Sequence, residues 1–157
     1  MELVPIIHFE DFVTGSVTEM GSRLVTAEDI VAFAAQFDPQ PMHLGDDGGR
    51  AAGVGGLVAS GWHTCAILMR MMVDDFVRDS ASMGSPGVDE VRWLRPVRPG
   101  DRLSARRTVL ETRVSKSRPG MGFVTFRFEV LNQSGEIVME LTSPLMIGRR
   151  SPPDSPD

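Results

Sequence analysis

An acid and an imidazole stand five residues apart in a short segment that two prolines make stiff. The segment is FDPQPMH, residues 37–43, in which Asp38 and His43 bracket Pro39 and Pro41. Each proline fixes its own φ at about −65°, so the separation of the two side chains is constrained. Two proton-transfer groups at a fixed separation could perform general acid–base catalysis. The alternative is a rigid surface turn in which both groups have structural roles.

The residues before this segment predict a helix that ends at Asp38. Residues 26–37, TAEDIVAFAAQF, begin at Thr26, a favourable N-cap, and repeat apolar residues at helical spacing. Pro39 ends the helix, because the residue before a proline is pushed out of the helical region. Asp38 would then lie at the negative end of the helix dipole, which disfavours a carboxylate by about 0.3–1 kcal/mol. We therefore expect a raised pKa at Asp38, which would make it a better base.

Two segments of contrasting character follow His43. Residues 45–61, GDDGGRAAGVGGLVASG, are rich in glycine, and we expect a flexible loop. Residues 62–77, WHTCAILMRMMVDDFV, are apolar on nearly every helical face except at Arg70, until Asp74. A helix that is apolar all round is buried, so we expect other elements to wrap around it.

The remaining segments predict β-strands joined largely by short turns. The predicted strands cover residues 15–25, 88–97, 101–115, 122–130 and 136–148. The order is strand, helix, loop, buried helix and four strands, which one antiparallel sheet folded around a long central helix satisfies. This is an α+β domain. We predict a single domain over residues 1–148 and a disordered C-terminal tail over residues 149–157, which are rich in Pro, Ser and Asp.

The composition excludes several classes of protein. A chain of 157 residues is the size of one domain with a sizeable core. Its single cysteine, Cys65, rules out an internal disulfide and a cysteine-based zinc site. No apolar run is long enough for a membrane span and the N-terminus does not resemble a signal peptide, so we expect a cytoplasmic protein. The net charge of −5 argues against nucleic-acid binding.

Positive charge is concentrated in residues 91–118, which contain nine Lys or Arg and two acidic residues. One interpretation is a solvated strand face with counter-charges nearby in space. The other is that a few of these side chains bind an anionic ligand, such as the phosphates of a nucleotide-like carrier.

The chain resembles the MaoC-like dehydratases, a hot-dog-fold family that includes the (R)-specific enoyl-CoA hydratases. The resemblance rests on FDPQPMH, on the glycine-rich loop followed by GGLVASGWHT, and on RWLRPVRPGD, which is similar to the family's F-x-x-P-V-x-x-G-D pattern. It spans roughly residues 5–148. Gln40 stands where the strict hydratase motif has Asn, and Gly45 stands where an acidic residue is usual.

The resemblance implies addition of water to the 2,3-double bond of an enoyl-CoA thioester, or the reverse reaction. This chemistry requires a base that activates water, an acid that protonates C2 and a donor that stabilises the enolate-like thioester oxygen. Asp38 and His43 are the predicted acid–base pair. Gly61 is the predicted oxyanion donor, because a Ser60 cap would leave the Gly61 amide free at the N-terminus of the buried helix. Pro41, Ser60 and Trp62 are the predicted substrate contacts.

Two other functions stay open at this point. An acyl-CoA thioesterase of the hot-dog fold typically carries an acid on the buried helix that faces the thioester, whereas Asp74 and Asp75 lie near the far end. A non-catalytic subunit that binds acyl-thioesters would not need to keep both Asp38 and His43. The hydro-lyase is therefore the leading hypothesis.

The predicted partners follow from the same hypothesis. Coenzyme A is part of the substrate, so we expect no separate cofactor and no metal ion. We expect no nucleic acid and no membrane as partners. A single sheet around one helix leaves an exposed sheet edge, which predicts a homodimer or a higher homo-oligomer.

Overall fold

The computed structural model describes residues 5–150 as one sheet and three helices, with short helical turns between them. The strands are β1 (Val17–Leu24), β2 (Glu90–Trp93), β3 (Arg102–Val114), β4 (Met121–Leu131) and β5 (Ile137–Gly148). The helices are α1 (Ala27–Phe37), α2 (Asp46–Ala51) and α3 (Gly61–Met72), and α3 continues into a π-helical turn (Val73–Val77). Short 3-10 turns cover Phe9–Asp11 and Pro41–His43.

The five strands form one antiparallel sheet in the order β1-β3-β4-β5-β2. β4 lies at its centre and alternates as the sequence predicts, with Val124, Phe126, Phe128 and Val130 fully buried on one face. Burying apolar surface contributes about 25 cal/mol per Å², so this face is a major source of stability. The predicted α+β class, an antiparallel sheet with a long central helix, is confirmed.

Helix α3 packs on the buried face of the sheet but is not buried all round. Leu68, Met72 and Phe76 belong to the core, whereas Trp62 is 61% exposed and Met69 is 45% exposed. The prediction of a completely covered helix is therefore wrong for the side of α3 that carries these two residues. No element within residues 5–150 covers that side.

Two segments differ from their predicted structure. The glycine-rich segment 45–61 is not an open loop, because it contains α2. The predicted strand 88–97 is ordered as strand only over the four residues of β2. Beyond β2 the chain leaves the ladder, because the amides of Leu94 and Arg95 both donate to the single carbonyl of Val138, at 2.9 and 3.3 Å.

Several cations of the basic segment are paired with carboxylates. Arg106 binds both oxygens of Glu129, at 2.9 and 3.1 Å, and an Arg95 nitrogen lies 2.9 Å from Glu136. For these residues the interpretation as a counter-charged surface is confirmed. The exposed Arg95–Glu136 pair contributes about 0–1 kcal/mol, whereas Glu129 is buried beside Arg106.

The structure describes the first two residues of the predicted C-terminal tail but not the first four residues of the predicted domain. Arg149 and Arg150 belong to the predicted tail, and their backbone amides donate to Gly120 and Glu10, both at 2.9 Å. The predicted disorder of residues 151–157 falls outside the described residues, as do the first four residues of the predicted domain. No helix in residues 5–150 combines the length and the apolar character that a membrane crossing requires.

Candidate active site

Asp38 caps the C-terminal end of α1, as the sequence predicts, and its carboxylate accepts two short hydrogen bonds. The Gln40 side-chain amide donates to Oδ1 and the Ser60 hydroxyl donates to Oδ2, both at 2.7 Å. These bonds lower the pKa of Asp38, with Gln40 as the largest cause and Ser60 next, while partial burial opposes them. The predicted raised pKa is wrong, because hydrogen bonds to the charged form outweigh the helix dipole.

His43 ends the short turn after Pro41 and is buried, with 6% of its surface exposed. Its Nδ1 lies 2.7 Å from the carbonyl oxygen of Val58. A carbonyl can only accept, so Nδ1 carries the proton and the neutral ring presents a lone pair at Nε2. Nε2 lies 3.4 Å from Oδ2 of Asp38, and both are acceptors when the ring is neutral. The structure therefore brings the predicted pair together as two adjacent proton acceptors.

The glycine-rich segment holds His43 in place because it is closely packed. Asp46 accepts a hydrogen bond from the Leu57 amide at 2.9 Å, which closes the segment on itself. The Val58 amide donates to the Met42 carbonyl at 3.1 Å, next to the Val58 carbonyl that fixes His43. The segment is folded and closely packed rather than an open loop, since the glycines here permit close backbone contacts. Asp46 stands one position beyond the site where the family usually places its acid.

The N-terminus of α3 supplies a free backbone donor. The Ser60 hydroxyl accepts from the Trp62 amide at 3.3 Å, so the predicted cap is confirmed. Gly61 is the first residue of the helix, and its amide donates to no acceptor among residues 5–150. Such an amide is a ready partner for a developing negative charge.

One cavity of about 490 Å³ joins these groups, a volume typical of small-molecule sites. Asp38, His43, Gly61 and Trp62 all line it. The other described residues that line it are Gln40, Met42, Val58, Ala59, Thr64, Trp93, Leu94, Arg95, Pro96, Val97 and Val138.

Two of the predicted substrate contacts do not reach the cavity wall. Ser60 is fully buried, and its hydroxyl is occupied by Asp38 and by the Trp62 amide. Pro41 is exposed and is not part of the cavity lining, and its backbone packs on α2, where a Cβ atom at Gly48 would lie 2.0 Å from the Pro41 carbonyl oxygen. The Ser60 hydroxyl thus donates to Asp38, and of the three predicted contacts Trp62 is the one that lines the cavity.

Sequence reasoning missed two residues whose hydrogen bonds shape this site. Gln40 was noted only as a departure from the family motif, yet it is the strongest cause of the lowered pKa of Asp38. Its position two residues after Asp38, between two prolines, was the available indication. Trp93 comes from the distant strand β2, and its indole N–H donates to the Gly61 carbonyl at 3.0 Å. That contact joins residues 32 positions apart, beyond the reach of local patterns.

His63 lies close to the site but belongs to the packing between α1 and α3. It is 7% exposed and its ring is stacked on Phe33, with centroids 4.7 Å apart. Its Nδ1 has no hydrogen-bond partner within the described part of the chain. Burial lowers the pKa of His63, while Asp29 acts to raise it and Arg23 to lower it further.

We expect His63 to make the protein less stable in acid. Above a pH of about 6.5 the His63 ring is neutral in both the folded and the unfolded protein. Below this pH the unfolded chain binds a proton at His63 more readily than the folded chain, in which the pKa of His63 is lower. The free energy of unfolding should therefore decrease as the pH falls from about 6.5 through the lower pKa of the folded state. Urea titrations at several pH values should show a smaller decrease in a His63→Phe variant, which keeps the stacking. An equal decrease in both proteins would contradict the assignment.

The fold and the site together define a class of protein: a hot-dog domain with an Asp–His pair beside the N-terminus of its central helix. The chain belongs to the MaoC-like family, because the family profile described as "MaoC like domain" matches residues 11–126.

The chain is similar to one solved structure of this family over nearly its whole length and to other proteins over the whole chain or part of it. The crystal structure of a MaoC-like dehydratase from Rhodospirillum rubrum is 40% identical, with a TM-score of 0.83, over 92% of this chain and 99% of that one. An uncharacterized protein, YdeM of Bacillus subtilis, is 28% identical over 89% of this chain and 98% of its own length. Mesaconyl-CoA hydratase of Cereibacter sphaeroides is 41% identical over 64 residues, which are 41% of this chain and 18% of that protein.

Proposed function

We propose that the protein is a hydro-lyase that adds water to the 2,3-double bond of an enoyl-CoA thioester, or removes it from the 3-hydroxyacyl product. The observation that carries the proposal is the pair of acceptors, Asp38 Oδ2 and His43 Nε2, 3.4 Å apart in the same cavity as the free Gly61 amide. The similarity to a mesaconyl-CoA hydratase over part of the chain supports a CoA thioester as substrate.

Two adjacent acceptors suit a single water molecule, which has two protons to donate. With one proton directed at Asp38 and the other at His43, the oxygen lone pair points away from both side chains toward C3 of the substrate. As the oxygen bonds to C3, one member of the pair takes a proton. The pair then returns a proton to C2, so that OH and H are both accounted for. The lowered pKa of Asp38 keeps it ionised before the reaction begins.

The Gly61 amide would stabilise the charge that moves onto the thioester oxygen as C3 is attacked. Removal of one oxyanion donor commonly costs about 100- to 1000-fold in rate, so such a donor is a large part of catalysis. The amide lies at the positive end of α3, which further favours an anion at this position.

The thioesterase alternative lacks an acid on the part of α3 that lines the cavity. Asp74 is bound by Arg70 and Arg78, at 2.9 and 2.6 Å, and Asp75 lies 3.4 Å from Arg107. Both carboxylates line a different cavity, beside the irregular part of β1 that contains Gly21. The residues of α3 that line the candidate active site are Gly61, Trp62 and Thr64, none of which is acidic.

A panel of enoyl-CoA thioesters of different length, branching and terminal charge tests the proposed function. Hydration should abolish the absorbance of the conjugated thioester without releasing free coenzyme A, which a thiol reagent would detect. Release of the thiol would identify a thioesterase instead. Binding without either change, across the whole panel, would identify a non-catalytic acyl-thioester-binding protein.

We also propose that the protein is a cytoplasmic homodimer joined along the β2 edge. β2 pairs only with β5 within the described chain, and exposed apolar side chains surround it. These are Trp62, Met69, Val88, Trp93 and Leu94. A second copy would cover both the free strand edge and the apolar side chains. Light scattering at micromolar concentration should give twice the mass of the chain, and a monomer would contradict the proposal.

A further inference from the structure

Trp93 replaces the side chain that Gly61 lacks. A Cβ atom added to Gly61 would lie 2.4 to 2.8 Å from three atoms of the Trp93 indole, so the ring occupies that space. The indole N–H donates to the Gly61 carbonyl at 3.0 Å. Trp93 stands at the position of Phe in the F-x-x-P-V pattern, and a phenylalanine could pack there but could not donate.

The Trp93 bond is the first of a continuous series of hydrogen bonds that ends at Asp38. The peptide group between residues 61 and 62 accepts from Trp93 at its carbonyl and donates from its amide to the Ser60 hydroxyl, at 3.3 Å. The Ser60 hydroxyl in turn donates to Asp38 Oδ2, at 2.7 Å. Every donor in the series points toward Asp38. Hydrogen bonds aligned in this way strengthen one another.

The same first turn of α3 carries the proposed oxyanion donor. The Gly61 amide and the Gly61 carbonyl flank one Cα atom, which lies against the Trp93 ring. A bond that fixes the carbonyl therefore limits rotation of the whole residue. Small displacements of catalytic groups are costly, since a shift of about 1 Å can lower a rate about 100-fold.

We propose that Trp93 is a positioning residue of the hydration reaction. Its indole N–H holds the first turn of α3 so that the Gly61 amide faces the thioester oxygen and the Ser60 hydroxyl stays on Asp38. This role rests on the proposed function. It goes beyond that function because it makes a side chain from the edge strand β2 responsible for the positions of both the Gly61 amide and the Asp38 carboxylate.

Removing the indole N–H alone distinguishes the positioning role of Trp93 from a purely structural role of its ring. Replacement of Trp93 by 3-benzothienyl-L-alanine puts sulfur in place of the N–H and keeps the shape of the ring. We expect kcat to fall roughly tenfold, with KM changed less than about twofold, because the loss arises in the transition state. Trp93→Phe should have the same pattern of effects. The midpoint of urea unfolding of the benzothienyl variant should match the wild type.

Two measurements report directly on the geometry of the first turn of α3. A bound 2,4-dienoyl-CoA absorbs at longer wavelength when its carbonyl is polarised, and this red shift should be smaller in the benzothienyl variant. Hydrogen exchange of the Trp62 amide, which is bonded to Ser60, should be faster in the free variant than in the free wild-type protein. The second measurement requires no substrate.

The possible outcomes distinguish the proposed hydration activity from the proposed role of Trp93. A wild-type protein inactive on the whole enoyl-CoA panel would overturn the proposed function and with it the role of Trp93 in hydration. An active wild type with unchanged kcat and unchanged red shift in the benzothienyl variant would overturn the role of Trp93 alone. Unchanged exchange of the Trp62 amide would show that the N–H does not hold this turn, which would also overturn it.

Discussion

Asp38→Asn should lower the rate of enoyl-CoA hydration by at least about 100-fold, the usual contribution of a general acid–base group. The amide keeps the size of the carboxylate, and its oxygen can still accept from Gln40 or Ser60. It cannot take a proton from water. Since the pKa of Asp38 is lowered by these two donors, the wild-type group is ionised at neutral pH and fully available as a base.

Asp47→Asn is the matched control for this change. Asp47 lies in α2 with a fully exposed side chain and, within residues 5–150, pairs only with the exposed Arg50, so the same chemical change is made outside the cavity. We expect the control to hydrate at the wild-type rate, and both variants to keep the wild-type circular dichroism. A near-wild-type rate for Asp38→Asn on the best substrate would exclude the proposed mechanism.

His43→Asn removes the proton acceptor of His43 but keeps a donor for the hydrogen bond to the Val58 carbonyl. An asparagine amide can replace Nδ1 as the donor to the Val58 carbonyl, whereas the Nε2 acceptor is lost. We expect a loss of at least about 100-fold. The double variant should be little slower than the slower single variant, because residues that act as a unit are strongly non-additive. Strictly multiplicative losses would indicate that the two groups act in separate steps.

The sequence was sufficient to predict that Asp38 and His43 lie close together, because both belong to one short segment. Asp38 and His43 lie within one proline-stiffened segment, and the end of α1 follows from Pro39 alone. The electrostatics of Asp38 could not be predicted in the same way. The pKa of Asp38 is lowered first by the Gln40 amide and next by the Ser60 hydroxyl, 22 residues away, whereas the helix considered alone gives the opposite direction.

For the fold too, features set by neighbouring residues were predicted and features set by tertiary contacts were not. The alternation of β4 and the period of α1 identified both elements, since each follows from neighbouring residues. The exposed side of α3 was missed because an apolar helix looks equally apolar whether or not another element covers it. The packed structure of residues 45–61 was missed because glycine permits both flexibility and close approach, and only the tertiary contacts decide between them.

Gly49→Ala should strongly destabilise the protein, although alanine normally favours a helix. Gly49 lies in α2, where alanine is more favourable than glycine by about 1 kcal/mol. A Cβ atom there would lie 1.7 Å from the carbonyl oxygen of Gly56, a backbone atom that no rotamer change can move. Overpacking of this kind costs about 1–3 kcal/mol and sometimes more, so the steric effect decides the sign.

The same substitution should also reduce hydration, because the displaced segment carries the carbonyl that orients His43. Gly56 lies two residues before Val58, whose carbonyl accepts from the His43 ring. Gly45→Ala is the control in the same segment: its backbone is extended, and apart from its two chain neighbours no atom of residues 5–150 lies within 4 Å of the added methyl group. Urea unfolding should give a free energy lowered by about 2 kcal/mol or more for Gly49→Ala and by less than about 1 kcal/mol for Gly45→Ala. Equal stability and equal turnover in the two variants would show that segment 45–61 yields to the methyl group and that close packing of α2 does not hold His43 in place.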